Sequence, residues 1–188
     1  QLTQLTPPPG AAGDHFGVTV ALAGDGTRAV IGAPQDDTAA GTDAGTAHVF
    51  MQTAGVWTAE AVLAASAGAA DDRLGRAVAM SRDGGRVLLG ADADDTSNGV
   101  DSGSATVFVR SGAAWSQEAV LLSPAGAASD FFASAVSLSA DGVRAIVGAD
   151  QSDNSNGVDA GNAFIYVRTG TAWAPDTTLA RTAGIGSD

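Results

Sequence analysis

Short apolar runs alternate with polar, glycine-rich stretches along the whole chain, and the runs are of two kinds. In the first, roughly Phe16–Leu22, apolar positions such as Val20 alternate with less constrained neighbours, and the same holds around Val78 and Val136. A period of two marks a pleated strand with one covered face. The second kind does not alternate. Arg28-Ala29-Val30-Ile31-Gly32-Ala33, Arg86-Val87-Leu88-Leu89-Gly90-Ala91 and Arg144-Ala145-Ile146-Val147-Gly148-Ala149 are apolar on both faces. Strands like these must be covered on both sides. Asp25-Gly26, Asp83-Gly84 and Asp141-Gly142 separate the two kinds, and each is a hairpin signal, because glycine accepts the positive φ of a tight turn.

A polar loop rich in Asp, Asn, Thr and Gly follows each second run. A third strand is predicted over Ala47–Met51, Ala105–Val109 and Ala163–Val167. A glycine-containing turn then leads to a tryptophan and a fourth strand, as in Trp115–Leu121. The abundance of alanine favours helix, but glycine recurs every few residues and the apolar cores are β-branched, so strand prevails.

The pattern repeats without a gap. Shifted by 58 positions, Asp14 falls on Asp72 and then Asp130, Gly32 on Gly90 and Gly148, Gly45 on Gly103 and Gly161, Trp57 on Trp115 and Trp173, and Leu63 on Leu121 and Leu179. The copies run 6–63, 64–121 and 122–179. Residues 1–5 align with the end of a fourth strand, and 180–188 with the opening of another copy. Four short strands per unit, the inner ones covered on both faces, predict an all-β chain: a β-propeller-type array of four-stranded antiparallel blades, three of them consecutive. A solenoid of four-stranded turns is the rival architecture. Propellers typically close with about four to eight blades. The chain is therefore expected to be part of a longer array, its ring completed by further blades of the same chain or by a homo-oligomer.

Composition narrows the function. The 188 residues are 45% hydrophobic, so a real core can form, and the net charge is −12, with arginine the only basic residue besides two histidines. Such an acidic surface repels phosphate backbones, which argues against nucleic acid as a partner. Cysteine is absent, so disulfides and thiol chemistry play no part. No apolar run approaches the ~18 residues of a membrane-spanning helix, and no membrane insertion is expected. The first residues lack the basic and apolar regions of a signal peptide, and the chain reads as cut from something longer. A lysine-free composition rich in Ala and Arg suits a high-GC bacterial genome.

Gly10-Ala11-Ala12-Gly13-Asp14, Phe16-Gly17, Ile31-Gly32-Ala33-Pro34, Gly45-Thr46-Ala47-His48-Val49-Phe50 and Trp57 together resemble the FG-GAP repeat, over essentially the whole chain. That family forms the blades of the integrin α-subunit propeller, and a bacterial branch occurs in secreted and surface proteins. The resemblance implies a propeller with an adhesive or protein-binding role. The later copies drift: Leu74-Gly75 with Gly90-Ala91-Asp92, then Phe132-Ala133 with Gly148-Ala149-Asp150. The family's calcium loop between the first and second strands is missing, since Gly24–Thr27 and its equivalents carry one carboxylate each. Ca²⁺ takes about six to eight oxygens.

The acidic loop between the second and third strands is the best remaining candidate for a metal. In copy two the oxygen-bearing Asp94, Thr96 and Asn98, followed by Gly99, are spaced like the first half of a calcium loop; Asp94, Asn98 and Asp101 are the candidate ligands, with Ca²⁺ as the candidate cofactor. No closing bidentate Glu is present. Turn chemistry alone explains this composition and is the preferred reading. Asp14, Asp72 and Asp130 are expected to hold a local hydrogen-bonded turn. Arg28, Arg86 and Arg144 suggest an inter-blade pair with a recurring Asp. His15 corresponds to Arg73 and Phe131, and His48 to Thr106 and Phe164, so both are expected to be exposed or at a blade edge. Trp57, Trp115 and Trp173, like Phe50, Phe108 and Tyr166, fit blade-to-blade packing better than sugar stacking.

No nucleophile elbow, phosphate loop or dinucleotide fingerprint occurs, and no catalytic or cofactor-binding residue is assigned. The expectation is a non-catalytic extracellular or bacterial cell-surface scaffold that binds an unknown protein or glycan. The alternatives are an accessory region of a secreted enzyme and a structural, self-assembling spacer.

Overall fold

A computed structural model of the chain describes residues 4–6 and 10–180. Of the expected flanking pieces, 1–5 and 180–188, residues 1–3 and 181–188 lie outside the described residues. Among the described residues there are strands and turns and no helix. Blade one comprises β1 (Val20–Leu22), β2 (Arg28–Ala33), β3 (Thr46–Thr53) and β4 (Val56–Leu63). Blade two comprises β5 (Ala77–Met80), β6 (Arg86–Ala91), β7 (Ser104–Ser111) and β8 (Ala114–Leu121). Blade three comprises β9 (Phe132–Leu138), β10 (Arg144–Ala149), β11 (Asn162–Thr169) and β12 (Ala172–Ala180). Each sheet is an antiparallel meander in sequence order.

The first strands pack side by side, β1 against β5 and β5 against β9, while the fourth strands barely touch. The blades therefore fan out from their first strands. The Asp-Gly turns follow one another at the narrow side, where the Gly24 amide donates to the Arg82 carbonyl and the Arg82 amide to the Ala140 carbonyl, at 2.8 and 2.9 Å.

One core lies at each junction. Val30, Ala47, Val49 and Leu63 of blade one meet Leu74, Val87, Leu89 and Phe108 of blade two. Leu88, Ala105, Val107 and Leu121 of blade two meet Phe132, Val147, Phe164 and Tyr166 of blade three. The doubly apolar second strands follow from this arrangement: β2 and β6 are buried throughout after their first residue. β10 alternates instead, because the far face of blade three has no neighbour among the described residues; Ile146 is 38% exposed where Val30 and Leu88 are at 0%.

The first strands begin later than the alternation suggests. Gly17 and Gly75 sit at φ +97° and +92°, so β1 and β5 start beyond them. In copy three the equivalent residue is Ala133, also left-handed at φ +73°, and a bulge at Gly148/Ala149 absorbs it within the longer β9.

Candidate functional site

The long loops joining second to third strands, residues 34–45, 92–103 and 150–161, lie at one end of the fan with the connections between blades. Each closes on itself in the same way. Asp37, Asp95 and Asp153 accept the amides of Asp43, Asp101 and Asp159 at 3.0, 2.9 and 2.9 Å. Those three acceptors are a recurring feature that residue types alone did not single out; their strict period was the available signal. A short bridge, Thr38–Gly41, Thr96–Gly99 or Asn154–Gly157, narrows each loop. The next copy's connection then lies along it, as when the amides of Ser129, Phe131 and Phe132 donate to the carbonyls of Val100, Asp101 and Ser102.

The candidate metal ligands each serve this framework. Asp94 accepts the Ser104 hydroxyl at 2.5 Å. The Asn98 amide group donates to the Ser123 carbonyl at 3.0 Å. Asp101 is left-handed at φ +51°, its amide bound by Asp95. Among the described residues no group of three or more His, Cys, Asp or Glu side chains has metal-holding geometry.

Asp14, Asp72 and Asp130 hold the expected turns, each carboxylate accepting the amide three residues earlier, from Ala11, Ala69 and Ala127. All three are buried. Burial pushes the Asp72 carboxyl up to about 6, assisted by the nearby charges of Asp94, Asp95 and Asp71 and opposed by the Ala69 amide.

The recurring arginines are not paired with aspartate across blades. Arg28 and Arg86 donate to Glu60 and Glu118 of their own fourth strands, at 2.9 and 3.0 Å. The link between blades comes from the third strand of the next copy: Arg110 reaches Glu60 at 2.9 Å and Arg168 reaches Glu118 at 2.7 Å. One buried glutamate thus takes two guanidinium groups, one from each side of the junction. Burial raises the Glu118 carboxyl, but bonds from Arg168, Arg86 and the Trp173 indole outweigh it and hold the group down at about 2. Glu60 is lowered as well. Trp115 and Trp173 pack against the junction cores, and the Tyr166 hydroxyl donates to the carbonyl of Leu122, just past the end of β8, at 2.6 Å. Trp115, Trp173, Phe108 and Tyr166 therefore serve blade packing.

His15 is exposed, as expected for a variable position, but His48 is only 4% exposed. It sits on β3 beneath Phe16, with Nε2 3.2 Å from Thr46 Oγ1 and 3.7 Å from Asp36 Oδ2. Burial lowers its pKa. Its variability reflects a packing site that accepts different fillers. In copy two the equivalent place, between the blade connection and β7, is a cavity of about 210 Å³ lined in part by Asp72, Leu74, Asp94, Ser104, Thr106 and Gln117.

Three four-stranded antiparallel sheets, fanned from their first strands and joined by buried cores, define a run of β-propeller blades. The FG-GAP repeat family matches residues 1–50, 57–108 and 115–166, and the chain belongs to that family. The second match begins at Trp57 in β4 and ends at Phe108 in β7, so the family's unit spans a junction between blades. No curated protein matches the chain in sequence. Among solved structures it is similar to a hydrazine synthase of Kuenenia stuttgartiensis, with TM-score 0.55 and 11% identity over 92% of this chain and 38% of that one. It is also similar to a eukaryotic initiation factor, with TM-score 0.54 and 10% identity over 88% of this chain and 32% of that one. The chain thus spans about a third of these structures, and at such identity the likeness concerns the fold.

Proposed function

We propose that the chain is a non-catalytic, extracellular FG-GAP scaffold whose loop end engages a protein or glycan. The observation that carries this reading is the pair of apolar loop tips. Val100 and Val158 occupy the same position in successive loops and are 61% and 78% exposed. Each stands beside aspartates, and each loop is fixed by its own Asp-to-amide bond, so the tips are presented at low ordering cost. An apolar tip on a rigid acidic rim suits a partner surface better than solvent.

The test is binding of the chain to arrayed glycans and to a displayed peptide library, repeated with Val100→Ser/Val158→Ser. Selective binding that this double variant loses, with its melting temperature unchanged, supports the reading. Binding that ignores both substitutions refutes it. The open face of blade three supports a second partner class, further blades of the same chain or another copy, because residues buried at the two filled junctions are exposed there.

A further inference from the structure

The cavity in copy two is a place where the other copies carry aromatic rings. In copy one Phe16 and His48 pack edge to face with centroids 5.4 Å apart, and in copy three Phe132 and Phe164 lie 5.7 Å apart. The equivalent residues of copy two are Leu74 and Thr106. Both partners of the ring pair are smaller at once, and a hollow remains.

Most of its polar groups are paired, Asp94 with Ser104 and Gln117 with the Ser66 amide, but two oxygens are not. Thr106 is 2% exposed and lines the hollow, and among the described residues its hydroxyl makes no hydrogen bond. Asp72 is 5% exposed; one of its carboxylate oxygens takes the Ala69 amide and the other has no partner among the described residues. The charges acting on it, those of Asp94, Asp95 and Asp71, are all negative. Both oxygens face the hollow rather than being sealed in protein, so a molecule that enters it can pair with them. The remaining wall includes Leu74, Ala91 and Val120, too apolar for a hydrated metal ion. Copy one shows what such a place accepts. There the His48 imidazole lies against Thr46 and Asp36, the residues equivalent to Ser104 and Asp94; burial lowers its pKa, while the charges of Asp36 and Asp14 act in favour of its protonated form.

We propose that the hollow between the blade connection and β7 binds a small organic cation of about imidazole-ring size, which meets Asp72, Asp94 and Thr106. The site goes beyond the scaffold reading and stands without it.

The test titrates imidazole at about pH 6.5, where a good share of it is protonated, and follows the amide resonances of Ala69, Asp72 and Thr106. Pyrazole, of the same size and uncharged at that pH, is the control. Imidazole should bind saturably, with pyrazole weaker on the order of tenfold, the loss of one charge-assisted contact. Thr106→His should abolish binding by filling the hollow, as His48 does in copy one. Asp72→Asn, which keeps an acceptor for the Ala69 amide, should weaken imidazole by a similar factor and leave pyrazole unaffected. No saturable binding, equal binding of pyrazole, or binding that survives either folded variant would overturn the proposal.

Discussion

Gly32 of blade one meets Gly75 of blade two across the first junction: a Cβ on Gly32 would stand 2.1 Å from the Gly75 carbonyl oxygen. The glycine of the second strand and the glycine of the next copy's Phe-Gly position are thus two sides of one close backbone approach. Gly90 repeats it against the Ala133 carbonyl at 2.2 Å, whereas Gly148, with no following blade described, has nothing nearer than 3.5 Å. Backbone cannot yield as a flexible side chain can. Gly32→Ala and Gly90→Ala should each destabilise by about 1–3 kcal/mol or more, the range for overpacking, and Gly148→Ala should be nearly neutral. Urea unfolding of the three variants measures this; equal losses at all three sites would refute it.

The Glu118 clamp should appear as acid sensitivity. Its carboxyl is depressed to about 2 in the folded chain from an ordinary 4.5. A depressed carboxylate stabilises the fold above its unfolded pKa and loses that contribution as pH falls toward the folded value. The window therefore runs from about 4.5 down to about 2. Glu118 is 6% exposed at its side chain, so screening is slight. Glu118→Gln should cost on the order of 3 kcal/mol at pH 7, from roughly 1.4 kcal/mol per unit, and almost nothing near pH 2. Thermal melts of both proteins across that window provide the measurement.

Features carried by one residue type at a fixed spacing were legible in the chain. They include the 58-residue period, the Asp-Gly turns, the doubly apolar second strands and the Asp14, Asp72 and Asp130 turns. What escaped depends on pairs far apart in sequence. Glu60 and Glu118 look like ordinary exposed positions of an alternating strand; only the fold brings Arg110 and Arg168 to them. His48 looked exposed because its equivalents vary, yet Thr106 and Phe164 are buried too. The variable quantity there is how well the volume is filled. The hollow of copy two likewise needs Leu74 and Thr106 together, and neither residue is remarkable alone.

Asp72 should act in the opposite sense to Glu118. Its folded pKa is raised from 3.8 to about 6, so the folded chain favours the neutral acid. Stability from this group is complete below the unfolded value and is lost as pH rises through the folded one. Wild-type stability should therefore decline between about pH 4 and 6, by at most roughly 3 kcal/mol. Asp72→Asn keeps an acceptor for Ala69 and removes the charge, so it should be more stable than wild type above pH 6 and should lack this decline. Denaturant midpoints at pH 4.5 and 7.5 compare the two; a variant weaker than wild type at pH 7.5 would contradict the account.

The same repeat position should have unequal weight in different copies. Leu88 on β6 is fully buried in the junction with blade three, while Ile146 on β10 faces outward and is 38% exposed. Leu88→Ala removes buried methyl groups and leaves a void, at a cost of about 2–5 kcal/mol. Ile146→Ala gives up part of a side chain already in water and should cost less than about 1 kcal/mol. Leu121 and Leu179 form a second such pair, at 3% and 46% exposed. If a further blade or a second copy covers this face, the ranking shifts. Ile146→Ala and Leu179→Ala would then cost far more in the assembled protein than in the isolated chain, because the partner supplies the neighbours that Val30 and Leu88 already have. Unfolding of the isolated chain together with light scattering at increasing concentration separates the cases. An isolated, monomeric chain in which Ile146→Ala costs as much as Leu88→Ala would show that the face is already packed and would remove the reason to expect a partner there.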